Sequence, residues 1–244
     1  MQPQESYARS HAPAPIRRLA RRLLRWRYRN FEPHSQPEKL VRVAGLRLRV
    51  LPDVFSPAIH FTSGVFARFL SQPSVVPRGG DVLDLGTGSG LLAIAAARSG
   101  ARRVVALDIS PAAVGCARSN VARYGIQSVV EVREGDSFGP LEGERFDLVV
   151  CNPPYFRGEP KSLAERAFLG GLHLEWFTKF GRDMHNYLNT SGHALISLGD
   201  AAEIDTILRL LRECGWRIEQ VARRDILVEI IYLFKSTPNV EKTT

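Results

Sequence analysis

Cysteine is scarce in this chain of 244 residues: only Cys116, Cys151 and Cys214 occur, with no CxxC pair. An odd count without metal-ligand spacing excludes a disulfide framework and a zinc knuckle, and it points to a reducing compartment. Long apolar runs are missing as well. No stretch of about 18 apolar residues is present, which excludes a membrane-spanning helix, and the N-terminus lacks the uninterrupted apolar segment of a secretory signal. The six histidines are scattered, and His60, His173, His185 and His193 lack metal-ligand spacing, so no metal is expected. Lysine is rare (5, against 28 Arg), which reads as a bias of genome composition. Acidic residues are few at one end. Residues 1–39 hold nine basic groups against Glu5, Glu32 and Glu38, a net +6, whereas the other 205 residues carry 24 basic and 22 acidic groups, or +2. The overall excess of +8 therefore belongs to an N-terminal extension, and the body is nearly neutral. Such an excess suits a polyanionic partner, a solvated helix face, or an organellar targeting segment on an otherwise cytoplasmic protein.

What is present is enough for a packed core, with 44% hydrophobic residues and 24% charged. Residues 1–39 read as a partly disordered basic extension in which Ile16 to Phe31 forms a short amphipathic helix, and residues 40–244 as the folded domain. Alternation over Val41 to Val50 around Gly45 predicts a hairpin. A loop over Pro52 to Pro57 and a helix from Thr62 to Leu70 follow. From Asp81 short apolar runs alternate with helical stretches, as βαβ units do. Strands are expected at Val82–Leu85, Val104–Leu107, Val129–Val132, Phe146–Cys151, Ala194–Leu198, Trp216–Val221 and Val228–Phe234. Helices are expected near Leu91–Ser99, Pro111–Tyr124, Leu163–Leu188 and Ala201–Cys214. This predicts an α/β fold with a doubly wound, mostly parallel seven-stranded sheet, Rossmann-like, whose last strand is antiparallel.

The run DLGTGSG from Asp84 to Gly90 ends the first of these strands and opens a helix. Gly86, Gly88 and Gly90 permit positive φ and close backbone approach to a ligand. A dinucleotide fingerprint would need a third glycine at Leu91, so the spacing is GxGxG with Asp84 ahead of it, and a carboxylate beside a glycine turn suits a cationic ligand. Asp108 closes the second strand, where an acidic side chain can take both hydroxyls of a ribose. Gly135-Asp136-Ser137 follows the third, placing another carboxylate at the same edge to meet an adenine amine. One such Asp alone is a helix cap or turn residue; three in register after successive strands read as a site.

Asn152-Pro153-Pro154-Tyr155 follows the fourth strand, and two successive prolines cannot continue a ladder, so they set a rigid loop. The Asn152 side-chain oxygen and the Pro153 carbonyl can accept two hydrogen bonds from one NH2 group, while Tyr155 offers a face for a planar π system. Cys151 reads as packing, and Trp176, Phe177 and Phe180 as core.

These residues together resemble the class I S-adenosylmethionine-dependent methyltransferases of the NPPY amino-methyltransferase group. The resemblance implies S-adenosylmethionine as cofactor, with its amino-acid end near Asp84, its ribose on Asp108 and its adenine by Asp136. Gly86, Thr87, Gly88, Gly90, Ile109, Ser137 and Asn152 complete the implied cofactor set. It implies a catalytic and substrate-binding role for Asn152, Pro153 and Tyr155, with Pro154 in the substrate loop.

The segment LPDVFSPAIHFTSGVFARFL and the ending LVEIIYLFK are most similar to the compact HemK-like glutamine methyltransferases, although Thr62 and Ser63 stand where those relatives carry an acidic residue. That resemblance implies a glutamine side-chain amide as acceptor in a release-factor-like protein substrate, with a small activating subunit as a further partner. The alternatives are adenine-N6 or guanine-N2 methylation of RNA or DNA, with the basic extension on phosphates, a small-molecule amine, or a non-enzymatic binding subunit, against which the intact motifs argue.

Overall fold

The computed structural model describes Leu19, Arg22, residues 38–226 and residues 228–239. But for Leu19 and Arg22, the expected amphipathic helix over Ile16 to Phe31 lies outside the described residues. No helix among those described is long and apolar enough to cross a membrane.

A hairpin comes first, β1 (Lys39–Val43) and β2 (Leu46–Val50), turning through Ala44 and Gly45, both at positive φ. Helix α1 (Phe61–Leu70) follows, and then the strands of the main sheet. These are β3 (Asp81–Leu85), β4 (Arg103–Asp108), β5 (Val130–Glu134), β6 (Phe146–Cys151), β7 (Leu188–Gly199), β8 (Trp216–Asp225) and β9 (Ile230–Pro238). The intervening helices are α2 (Leu91–Arg98), α3 (Pro111–Arg123), α4 (Glu175–Asp183) and α5 (Ile204–Glu213). The seven strands lie in the order β5-β4-β3-β6-β7-β9-β8. β9 inserts between β7 and β8 and is antiparallel to both, while the β3, β4, β5, β6 and β7 pairings are parallel. The expected doubly wound sheet with an antiparallel last strand is therefore the observed one.

Strands covered on both faces read as continuous apolar runs. The period-two alternation nevertheless sorts their side chains between two cores. Val82, Val104, Ala106, Leu148 and Val150 face α1, α2 and the hairpin. Leu83, Leu85, Val105, Leu107 and Val149 face α4 and α5, where Phe177, Phe180 and Leu211 close the second core. Order reverses between β3 and β6, on either side of which the connections leave for opposite faces, and ligands in open α/β sheets bind at that switch point.

One expected element is corrected. The stretch Leu163–Leu188 is not a single helix but a 3-10 turn at Glu165–Ala167, a fold-back segment, and only then α4. The segment doubles back on the Asn-Pro-Pro-Tyr loop, with the Phe156 N–H donating to Phe168 O at 3.0 Å and the Gly170 N–H to Phe156 O at 2.9 Å. A Cβ at Gly170 would sit 2.5 Å from the Pro154 carbonyl oxygen, and Gly171 has φ +99°, so neither position suits a helix interior. Phe168 consequently lies off the helix, with its ring centroid 5.1 Å from His60 and 5.4 Å from Phe55.

Candidate active site

The C-terminal ends of β3, β4, β5 and β6 converge on one cavity of about 450 Å³, a size that suits a small-molecule site. Its wall includes Gly86, Thr87 and Gly88 from the first turn, Asp108 and Ile109 from the second, and Asp136 and Ser137 from the third. Asn152 and Pro154 also line it, whereas Asp84, Gly90, Pro153 and Tyr155 adjoin lining residues without themselves lining it.

The glycine turn is tied to the neighbouring strand end. The Gly86 and Thr87 N–H groups both donate to Leu107 O, at 2.8 and 3.0 Å, and the Gly88 N–H donates to Asp108 Oδ2 at 2.8 Å. Gly86, Gly88 and Gly90 have φ of +75°, +55° and +82°, the left-handed region that a side chain disfavours. Asp108 also accepts from the Ser110 N–H at 2.9 Å, so its carboxylate is held rigid, although burial raises its pKa.

Asp84 does two things at once. Its Oδ2 accepts from Thr87 Oγ1 at 2.7 Å and from the Ala93 N–H at 2.9 Å, capping the start of α2. Its Oδ1 is buried with no hydrogen-bond partner among the described residues. Burial pushes its carboxyl up to about 7, against the pull of Thr87 and Ala93. A buried acceptor left open is costly unless something satisfies it. A cationic amino group beside the glycine turn would do so, so the donor set fits S-adenosylmethionine.

Asp136 is exposed and faces the Arg166 guanidinium at 3.7 Å. Ser137 at φ +53° turns its hydroxyl to donate to Asp136 Oδ1 at 3.0 Å. The ion pair links the third strand's loop to the 3-10 turn at Glu165–Ala167, and the stretch before that turn lines the cavity through Pro160, Leu163 and Ala164.

Asn152 sits in a hydrogen-bond clamp. Its Nδ2 donates to Ser63 Oγ at 3.0 Å, and its Oδ1 accepts from Ser197 Oγ at 2.8 Å. The first bond sets the amide's orientation, and the second leaves one lone pair of the oxygen open. Tyr155 is 9% exposed, and its ring packs 4.8 Å from Phe156 at 57°. Its hydroxyl reaches toward Gly199 and Glu229.

Several site residues escape the sequence reading. Ser197 is a single hydroxyl in an apolar strand with no spacing to mark it, and Ser63, singled out only for the acidic residue it replaces, is the donor-side partner of Asn152. Asn120, fully buried on α3, donates to Ser89 O at 2.9 Å and to Arg49 O at 2.7 Å, and so fastens the hairpin to the glycine turn. Trp176, expected in the core, instead lines the cavity while stacking 4.9 Å from Phe180. Phe177 and Phe180 are buried as expected, as is Cys151. Among the described residues no three His, Cys, Asp or Glu gather as a metal site.

Comparison with known proteins matches residues 45–171 to one family, the Methyltransferase small domain. A putative protein N5-glutamine methyltransferase of Methanocaldococcus jannaschii is 29% identical over 198 residues, covering 78% of this chain and 94% of that protein. The release factor glutamine methyltransferase of Geobacter sulfurreducens is 30% identical over 222 residues, covering 78% of this chain and 76% of that protein. Among solved structures, a T. Thermophilus 16S rRNA N2 methyltransferase in complex with AdoMet and guanosine has a TM-score of 0.62 at 21% identity. That match covers 83% of this chain and 50% of the other, and the likeness is one of fold.

Proposed function

The chain belongs to the methyltransferase small domain family and is an S-adenosylmethionine-dependent methyltransferase; we propose that its acceptor is the side-chain amide of a protein glutamine. The clamp of Ser63 and Ser197 on Asn152, at the wall of the cavity that Gly86 to Gly88 and Asp108 also line, carries this reading. The two curated relatives described above, both named for glutamine, support it.

Cofactor binding falls to the three strand ends. When S-adenosylmethionine is bound, Asp108 would hold the ribose hydroxyls and the Asp136-Ser137 turn the adenine edge, with Ile109 beside the ring and the buried Asp84, beneath the glycine turn, toward the amino group. S-adenosylmethionine, when bound, supplies an electrophilic sulfonium methyl. Everything else is asked of the chain's own groups.

An amide nitrogen is a poor nucleophile because its lone pair is delocalised into the carbonyl. Asn152 Oδ1, through its open lone pair, and the Pro153 carbonyl accept the two amide hydrogens, which draws the nitrogen toward tetrahedral geometry and frees the lone pair. The two prolines keep both acceptors fixed, so catalysis is positioning and electrostatics rather than covalent chemistry. Leu169, Gly170, Gly171 and Trp176 form part of the cavity wall.

The slender amide suits this site better than a nucleobase. A base would need an open aromatic face beside Asn152 to lie on, but Tyr155, the ring of that loop, is buried against Phe156. The test is to incubate the protein with labelled methyl donor and a cell extract, with and without protease, ribonuclease and deoxyribonuclease. Label is expected in protease-sensitive material that yields N5-methylglutamine on digestion. Label that only ribonuclease or deoxyribonuclease releases, or label on a small metabolite, would overturn the glutamine reading.

A further inference from the structure

Beneath the Asn-Pro-Pro-Tyr loop lies a carboxylate with no part in the chemistry above. Glu229 directly precedes β9 and is 1% exposed. Neither of its oxygens has a fully formed hydrogen bond among the described residues. A carboxylate sealed away from water costs several kcal/mol unless it is neutralised or partnered, so an apolar residue would serve packing better.

Its neighbours point to one role. A Cβ added at Gly199, the end of β7, would overlap Glu229 Oε1 and lie 3.2 Å from the Tyr155 hydroxyl. Glycine therefore leaves the space that the acid and the phenol share. Burial and the negative Asp200 beside Gly199 both raise the Glu229 carboxyl, and the Tyr155 hydroxyl is the donor that draws it down. Ser197, which holds the Asn152 oxygen, sits two residues before Gly199 on the same strand. The end of β7 thus braces both ends of the acceptor loop.

We propose that Glu229 is a positioning residue for methyl transfer: it accepts the Tyr155 hydroxyl from inside the sheet edge and so holds the Pro153 carbonyl on the acceptor nitrogen. This rests on the reading of Asn152 to Tyr155 as the holder of the amine. Proline fixes φ at Pro153 and Pro154, and the freedom left in the loop is the swing of Tyr155, which is restrained at its far end. Tyr155 then works as a strut anchored at its hydroxyl and not as an open stacking face. A misplacement of about 1 Å in such a site costs about a hundredfold in rate.

The experiment is a double-mutant cycle on the full chain with Glu229→Ala, Tyr155→Phe and the pair, plus Glu229→Gln. Turnover is measured on whichever extract fraction the wild type labels, and affinity for S-adenosylhomocysteine by calorimetry. Each single variant is expected to lower kcat by about 10- to 100-fold with acceptor KM within threefold. The pair falls no further than the worse single, Glu229→Gln recovers most of the rate because its amide oxygen still accepts the phenol, and cofactor affinity stays within threefold. Unchanged kcat in either single variant, losses that multiply, or cofactor affinity lost in step with rate would overturn the proposal. Where Glu229→Ala does not fold, Glu229→Leu, which fills the space without an acceptor, replaces it in the cycle. Wild-type label in RNA would sink the glutamine reading, while the same cycle run on that RNA still decides the role of Glu229.

Discussion

Binding of S-adenosylhomocysteine is expected to expel a proton from Asp84. Burial pushes this carboxyl up to about 7 from an ordinary value of 3.8, and the neighbouring Asp108 adds to the shift, while Oδ1 has no hydrogen-bond partner among the described residues. The displacement corresponds to about 4 kcal/mol against the charged form. A ligand ammonium beside Oδ1 reverses the balance and restores the anion. With its carboxyl pushed up to about 7, Asp84 in the free protein holds most of a proton at pH 6 and little at pH 8, and gives it up on binding. Affinity therefore weakens about tenfold from pH 8 to pH 6 and levels off above pH 8. Calorimetric titrations in phosphate and Tris at each pH read proton release from the buffer dependence of the enthalpy. Asp84→Asn is the control: it removes the release and the pH dependence and weakens binding at pH 8 by about 1–3 kcal/mol. A buffer-independent enthalpy from pH 6 to 8, or the same pH dependence in Asp84→Asn, would refute the reasoning.

The same groups shape the stability of the unliganded protein. Asp84 and Glu229 both keep protons up to about 7 that the unfolded chain releases near 4, so stability falls as pH rises through that window; scanning calorimetry is expected to show a lower melting temperature at pH 8 than at pH 5, and Asp84→Asn to reduce the difference. Ser197→Ala removes one hydrogen bond of the clamp and is expected to cost about 1 kcal/mol of transition-state stabilisation, a five- to tenfold loss of kcat, with S-adenosylhomocysteine affinity unchanged. An unaltered rate would mean that Asn152 needs no orienting partner. Gly199→Ala forces a methyl group into the Glu229 carboxylate and is expected to destabilise by about 1–3 kcal/mol in denaturant titration.

What could be read in advance was whatever the order of the chain dictates. Parallel strands joined by right-handed crossovers bring their C-terminal ends to one edge, so Asp84, Asp108, Asp136 and Asn152, each at or just past a strand end, had to meet. Ser63, Ser197, Asn120 and Glu229 are partners across the fold. A lone polar residue in an apolar run looks the same in sequence whether it is a tolerated passenger or a clamp, and only the register of β7 with β6 and β9 places Ser197 on Asn152 and Gly199 on Glu229. The mistaken helix had a different cause. Phe168, Trp176, Phe177 and Phe180 fall at helical spacing, but Gly170-Gly171 marked the interruption, and the first of them exists to pass the Pro154 carbonyl. Trp176 was assigned to the core because periodicity alone does not tell the cavity side of a helix from its packed side.

Asn152, which the family resemblance also puts beside the cofactor, is expected to act chiefly on the acceptor. Single-turnover methyl transfer by Asn152→Ala, measured beside its calorimetric affinity for S-adenosylhomocysteine, tests this most directly. Transfer is expected to fall by a factor on the order of a hundred or more with affinity within a few fold of wild type. Transfer at the wild-type rate, or a rate and an affinity that collapse together, would contradict it.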